Sequence, residues 1–187
     1  MVSPSTSDRA RVAKLPDAFG LLGLEARYDI DGSTLERAYF ERSKELHPDK
    51  FATAPAAERV VALSKARALN DAYQLLKRPA SRAEYLLARD GIMIGDNERI
   101  DPALVMELLE EREVLAEARV AGKLDEVARL QGVMKARRTA ALGRVKSLFA
   151  TGGGDTAATL AAIKQQLILL RYVERYLEEC DSALDED

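Results

Sequence analysis

Tryptophan is absent from this chain of 187 residues, and cysteine and histidine occur once each, as Cys180 and His47. A single cysteine excludes a disulfide within the chain. One cysteine and one histidine together exclude a structural zinc site built on those ligands. This usage suits a reducing compartment. Aromatic residues make up only 5% of the sequence, so the interleaved rings on which single-stranded nucleic acids stack are missing. No apolar run approaches the ~20 residues that a membrane-spanning helix needs. There is no glycine-rich phosphate loop and no nucleophile set beside a base, so the main catalytic constellations are missing. Residues 1–14 lack the apolar stretch of a secretory signal and read as a disordered N-terminal tail. The net charge of −3 gives no reason to expect a polyanionic partner.

What is present is helical. Hydrophobic residues make up 47% and charged residues 32%, and Ala, Leu, Glu, Arg and Lys dominate, the composition of a soluble helical protein. Phe19 and Leu22 are spaced to point inward from one short helix. Ser33 and Glu36 have capping-box spacing, and a helix is expected from there to about Leu46. Its inward stripe is Leu35, Ala38, Tyr39 and Leu46. Arg42 falls on the same stripe, which calls for a stem laid along the core edge. A second helix is expected from about Ala57 to Lys77, with Ala62, Ala66, Leu69, Ala72, Tyr73 and Leu76 inward. Pro79 breaks it, and a short helix follows over Ser81–Arg89. Gly95-Asp96-Asn97 reads as a linker. Asp101-Pro102 then places a cap before an N1 proline, opening a helix that runs to about Ala121. Two longer helices follow, about Leu124–Phe149 and Thr156–Leu184, joined by a turn at Gly152-Gly153-Gly154-Asp155. Three long helices with short loops make an antiparallel bundle.

His47-Pro48-Asp49-Lys50 lies between the first two longer helices. The proline fixes its own φ and pushes His47 out of helical geometry, so the only histidine stands at a rigid corner beside a carboxylate and an ammonium. A histidine at a helix end also serves simply as a cationic C-cap. As a catalytic pair, His47 and Asp49 would lack any nucleophile.

The residues around this corner resemble the J-domain family. Leu35 to Lys50 (LERAYFERSKELHPDK) carries an aromatic eight residues before the histidine, an apolar residue just before it, and then HPDK. Asn70-Asp71-Ala72-Tyr73 and Arg78-Pro79 resemble the family's following helix and its end. Within that family, the segments Asp17 to Leu24 and Arg27-Tyr28, His47 to Phe51, Arg82 to Leu87, and Asp101 to Leu115 resemble HscB, also called Hsc20. The resemblance spans about residues 17–187. It implies an all-α protein of two domains. The first is a J-domain over residues 15–92, an antiparallel helical hairpin with the HPD loop. After a linker over 93–100 comes an antiparallel three-helix bundle over 101–187.

The resemblance further implies a cytoplasmic co-chaperone of iron–sulfur cluster biogenesis (mitochondrial matrix in a eukaryote), with no enzymatic activity, cofactor, metal, nucleic acid or membrane of its own. The J-domain would stimulate the ATPase of a DnaK-class chaperone, typically HscA, through His47, Pro48, Asp49 and Lys50 with Arg37, Arg42 and Lys44 of the preceding helix. The bundle would bind the scaffold protein IscU. Whether the chain also forms a weak homodimer is left open, as are a different client and a purely structural helical role. Two departures from the family pattern count against generic docking and leave room for a dedicated chaperone. The bases of the helix before His47 alternate with Glu36, Glu41 and Glu45, and Arg42 stands where an apolar residue is usual.

The helix after Pro102 is acidic. At 100° per residue Leu104, Leu108 and Leu115 form its core stripe. Met106, Glu110, Glu113 and Glu117 fall opposite, with Val105 and Leu109 on the flank. By periodicity alone this is either a wide face packed on two neighbours or a binding surface. The resemblance to HscB implies the second, with Val105, Met106, Leu109, Glu110, Glu113 and Glu117 as scaffold-binding positions and Tyr172 of the last helix completing the patch.

Overall fold

The computed structural model describes residues 17–95, 98, 102–151 and 156–185. The expected tail over 1–14, Asp96-Asn97, the Asp101 cap and the turn Gly152-Gly153-Gly154-Asp155 lie outside the described residues. There is no strand among those described. The chain divides into two compact units between Met93 and Ile94.

The first unit is built from α1 (Ala18–Leu22), α2 (Gly32–Glu45), α3 (Ala56–Lys77) and α4 (Pro79–Arg89). α2 and α3 form a hairpin, held where the Tyr39 ring stacks on Tyr73 with centroids 4.3 Å apart. Its core is made of Phe19 and Leu22 of α1, Leu35 of α2, and Leu69, Tyr73 and Leu76 of α3. The expected helical stripes therefore do face inward. α1 stops at Gly23, whose φ of 69° is left-handed and costs little only for glycine. Arg42 resolves its odd position on the stripe by reaching across this turn: a Cβ on Gly23 would stand 2.9 Å from Arg42 Nη2.

The cap of α2 differs from the expectation. The helix opens at Gly32, and Asp31, not Ser33, is its N-cap, accepting from the Thr34 N–H at 3.1 Å. The Ser33 hydroxyl donates to the same carboxylate. That hydroxyl first, and then the Thr34 N–H, hold the Asp31 carboxyl below the usual range. A carboxylate accepts two donors at once where a serine hydroxyl would satisfy one. At the other end of the hairpin Arg78 is extended (φ −86°, ψ 119°) and Pro79 is the first residue of α4. The proline that ends α3 thus also starts α4, two residues earlier than expected.

α4 clamps the rest of the unit. The Tyr85 hydroxyl accepts from the buried Ala18 N–H at 3.0 Å, at the first turn of α1, and its ring tilts against Phe19 at 5.7 Å. Arg82 is buried, donates from Nη1 to the Ile30 carbonyl at 3.2 Å, and lies 5.4 Å from the Tyr28 ring centroid. Burial lowers its pKa and raises that of Tyr28.

The second unit contains α5 (Pro102–Val120), α6 (Leu124–Thr151) and α7 (Ala157–Asp185). Gly122, with φ 64°, turns α5 into α6. Opposed pairs show α6 and α7 to be antiparallel: Gln131 with Asp181, and Arg138 with Glu174. α5 runs in the same direction as α7, because Glu111 is level with Tyr176 and Arg112 with Glu179. Val127, Leu130, Met134, Ala141 and Val145 of α6 meet Leu160, Ile163, Leu167, Leu170 and Leu177 of α7 in the core. α7 buries more than its expected stripe, adding Ile168, Val173, Tyr176 and Cys180. Burial pushes the Cys180 thiol up to about 11 and the Tyr176 phenol up to about 12. Of the expected linker, Gly95 accepts from Arg171 at 3.2 Å and Glu98 pairs with Lys164 at 2.8 Å, so both are tied to α7.

Candidate functional site

Two surfaces carry the residues singled out in the sequence, one in each unit. In the first unit α2 ends at Glu45, and the Leu46 N–H bonds to the Ser43 carbonyl. His47 is extended, with φ −61° and ψ 134°, as its proline neighbour requires. A 3-10 turn, Pro48–Phe51, follows. Its geometry is set by the Lys50 N–H bonding to the His47 carbonyl at 3.0 Å and the Ala52 N–H to the Asp49 carbonyl at 3.3 Å.

The histidine ring is part of this corner. Its Nδ1 accepts from the Asp49 N–H at 3.3 Å and lies 3.5 Å from Asp49 Oδ2. An Nδ1 that accepts leaves the proton of the neutral ring on Nε2, free to donate. The Asp49 side chain is 90% exposed. The corner therefore offers an outward carboxylate next to an imidazole donor, held by a backbone that is already ordered.

The helical bases around the corner separate into two groups. Arg37 and Lys44 lie two turns apart on the outer face of α2, while Arg42 turns toward Gly23. Much of this charge is neutralised within the helix: Lys44 pairs with Glu41 at 3.0 Å and Arg42 with Glu45 at 3.5 Å. Two features of this surface went unnoticed in the sequence. Phe40 is exposed on the outer face with the Lys44 ammonium 4.5 Å from its ring centre. A groove of about 300 Å³ also opens between the corner and the start of α3. Helical register alone puts Phe40 off the core stripe, so that signal was available. The groove depends on how the 3-10 turn folds back, and periodicity does not carry it.

In the second unit α5 presents the acidic and apolar face. Leu108 and Leu115 are buried, Val105 is half-buried, and Met106 and Leu109 are 58% and 56% exposed. The acids of α5 divide sharply. Arg137 of α6 bridges Glu107 and Glu111, the latter at 2.8 Å. Burial raises the pKa of Glu111, more than Arg137 lowers it. Glu110, Glu113 and Glu117 are exposed, and none of the ion pairs among the described residues involves them. The glutamates expected to bind a partner are therefore the ones that the bundle itself does not use. Tyr172 is exposed on α7, one turn before Tyr176, whose hydroxyl donates to the Glu111 carbonyl at 3.1 Å. Register thus puts it level with the Met106–Leu109 end of α5.

Comparison with known proteins finds two family models that together cover most of the chain. The DnaJ domain matches residues 17–85, and the HSCB C-terminal oligomerisation domain matches residues 100–181. A relative named co-chaperone protein HscB homolog, from Ralstonia nicotianae, is 36% identical over 170 residues, 90% of this chain and 96% of its own. One of the same name from Azoarcus sp. is 34% identical over 172 residues, 90% and 94% of the two chains. Among solved structures, chaperone HscB from Vibrio cholerae has a TM-score of 0.78 at 31% identity, covering 91% of this chain and 99% of that one. Human co-chaperone protein HscB also scores 0.78, at 25% identity, covering 90% and 82%.

Proposed function

Because the chain belongs to the HscB family of J-domain co-chaperones, we propose that it stimulates the ATPase of a dedicated DnaK-class chaperone, HscA, and delivers to it the iron–sulfur scaffold protein IscU. The observation that carries this reading is the His47–Asp49 corner. Its carboxylate is exposed, its histidine is fixed by the neighbouring N–H, and no reacting group accompanies it. An arginine of the chaperone can take the Asp49 carboxylate in a bidentate pair, and the ordered turn lowers the entropy cost of docking. Catalysis stays with the chaperone, whose conformational equilibrium the contact shifts.

The scaffold is held by Val105, Met106, Leu109, Glu110, Glu113 and Glu117 of α5 with Tyr172 of α7. Exposed apolar groups beside unpaired carboxylates suit a partner surface that is apolar and rimmed by cations. The protein acts in the cytoplasm. Single-turnover ATP hydrolysis by the purified chaperone tests the central step. Wild-type protein is expected to accelerate it, and His47→Gln to abolish the acceleration. Equal stimulation by the variant would overturn the reading. The name of the matching C-terminal family supports a second property, weak self-association through the bundle. Sedimentation velocity across a concentration series checks it, and a single monomeric species at all concentrations would exclude it.

A further inference from the structure

At the end of the bundle where α5 turns into α6, an apolar side chain stands in water beside an apolar groove. Val120, the last residue of α5, is 92% exposed, the most exposed large apolar side chain among the described residues. The groove has a volume of about 350 Å³ and is lined by Ala116, Arg119, Val120, Leu124 and Ala183. All three helices of the bundle contribute to it, so its walls are set by their packing. Its volume is in the range of ligand pockets (roughly 300–1,000 Å³) and far above packing voids. A single exposed valine is ordinary, but one on the rim of a groove able to accept another valine is self-complementary.

That self-complementarity points to a second copy of this chain. Knob and groove lie on one surface, so a two-fold axis places each Val120 in the groove of the other copy. The charges agree. Arg119 and Lys123 stand at this end of the bundle with Asp125 and Asp185, all four exposed, and none of the ion pairs among the described residues involves them. Two charges of each sign avoid repulsion between copies and let the cations of one meet the carboxylates of the other. The groove is also distinct from the surface assigned to the scaffold. Val120 lies eleven residues beyond Leu109 on α5, roughly 16 Å at the helical rise.

We propose that this groove is the contact through which the bundle pairs with a second copy of itself, each Val120 seated against Leu124 and Ala183 of the other. This rests on the reading that the bundle self-associates, and deepens it by naming the surface. A contact made of so few apolar side chains covers less than the roughly 1,200–2,000 Å² of a stable interface, so the pair is weak and reversible.

The test is sedimentation equilibrium of the full chain over a concentration series reaching the millimolar range. Val120→Glu puts a carboxylate on the knob, and Ala116→Arg obstructs the groove. Both positions are exposed, so neither change disturbs the core. Val114→Glu is the control, an exposed valine on another face of α5. Wild type and Val114→Glu are expected to associate alike, and both groove variants to raise the dissociation constant about tenfold, the factor for losing one buried aliphatic contact. Val120→Glu is expected to bind purified IscU as wild type does. If wild type is monomeric throughout, the self-association reading falls and takes the proposal with it. If wild type associates and both groove variants associate equally well, the proposal falls and self-association stands. Loss of IscU binding by Val120→Glu, with its association unchanged, would give the groove to the scaffold and overturn the proposal.

Discussion

Replacing Met106 and Leu109 by alanine tests the proposed scaffold-binding surface most directly. Fully burying such a side chain is worth about 1.5–3 kcal/mol. Each is already partly covered, being 58% and 56% exposed, so binding recovers roughly half of that. Alanine retains the Cβ, so each single variant should lose about 1 kcal/mol, a factor of about five in Kd. The two residues are three apart on the helix, and as a first estimate their losses add. The double variant should lose about 2 kcal/mol, roughly thirtyfold in Kd. Isothermal titration calorimetry with purified IscU measures this, and a less negative heat-capacity change should accompany the loss. The melting temperature should not fall, because neither side chain is in the core. Val120→Ala is the control. It removes a side chain that is 92% exposed, more than either target, yet at the far end of α5. The reasoning fails if the double variant binds like wild type, or if Val120→Ala costs as much.

Three other outcomes follow from the fold. Tyr85→Phe keeps the ring against Phe19 and leaves the buried Ala18 N–H without its acceptor. It should cost about 1–3 kcal/mol in urea unfolding, and amide exchange in residues 17–22 should speed up. Gly23→Ala forces a Cβ into a left-handed turn beside Arg42, and should lower the stability of the first unit by about 1–2 kcal/mol. The Lys164 hydrogen bond first, and then the Gly95 N–H, lower the Glu98 pKa, so its ionised form favours the folded bundle. That contribution is present above the ordinary value of 4.5 and is lost as the pH falls below it through the lowered native value. Glu98→Gln should therefore flatten acid destabilisation of the bundle and cost at most about 0.5–1 kcal/mol at pH 7. Unfolding at a series of pH values checks the slope.

Helix positions were legible in the sequence because the apolar spacing is regular. Leu69, Ala72, Tyr73 and Leu76 of α3, and Ile163, Leu167 and Leu170 of α7, are buried as their periodicity requires. What escaped was set by groups distant in sequence. Ser33 had the right spacing for a cap, but Asp31 wins because its carboxylate serves two donors. Arg82 read as part of a family motif, and nothing local indicates that it is buried under the Tyr28 ring with the Ile30 carbonyl as its acceptor. The acidic ridge of α5 was visible as composition. Register put Glu110, Glu113 and Glu117 opposite the core stripe, but that Glu107 and Glu111 are taken up by Arg137 reaching across from α6 was not visible. The corner itself was the most legible feature, because Pro48 constrains both its own backbone and that of His47.

The position of the single sulfhydryl has a consequence for the traffic this protein attends. Cys180 is fully buried in the bundle, and burial pushes its pKa up to about 11, so its sulfur is out of reach and protonated at neutral pH. Ferrous iron and persulfide sulfur both react with thiolates. A co-chaperone of iron–sulfur cluster assembly that keeps its own sulfur protonated and out of reach does not use it to compete for the metal or divert the sulfur. The bundle thus keeps the chain's one thiol out of the cluster chemistry it assists.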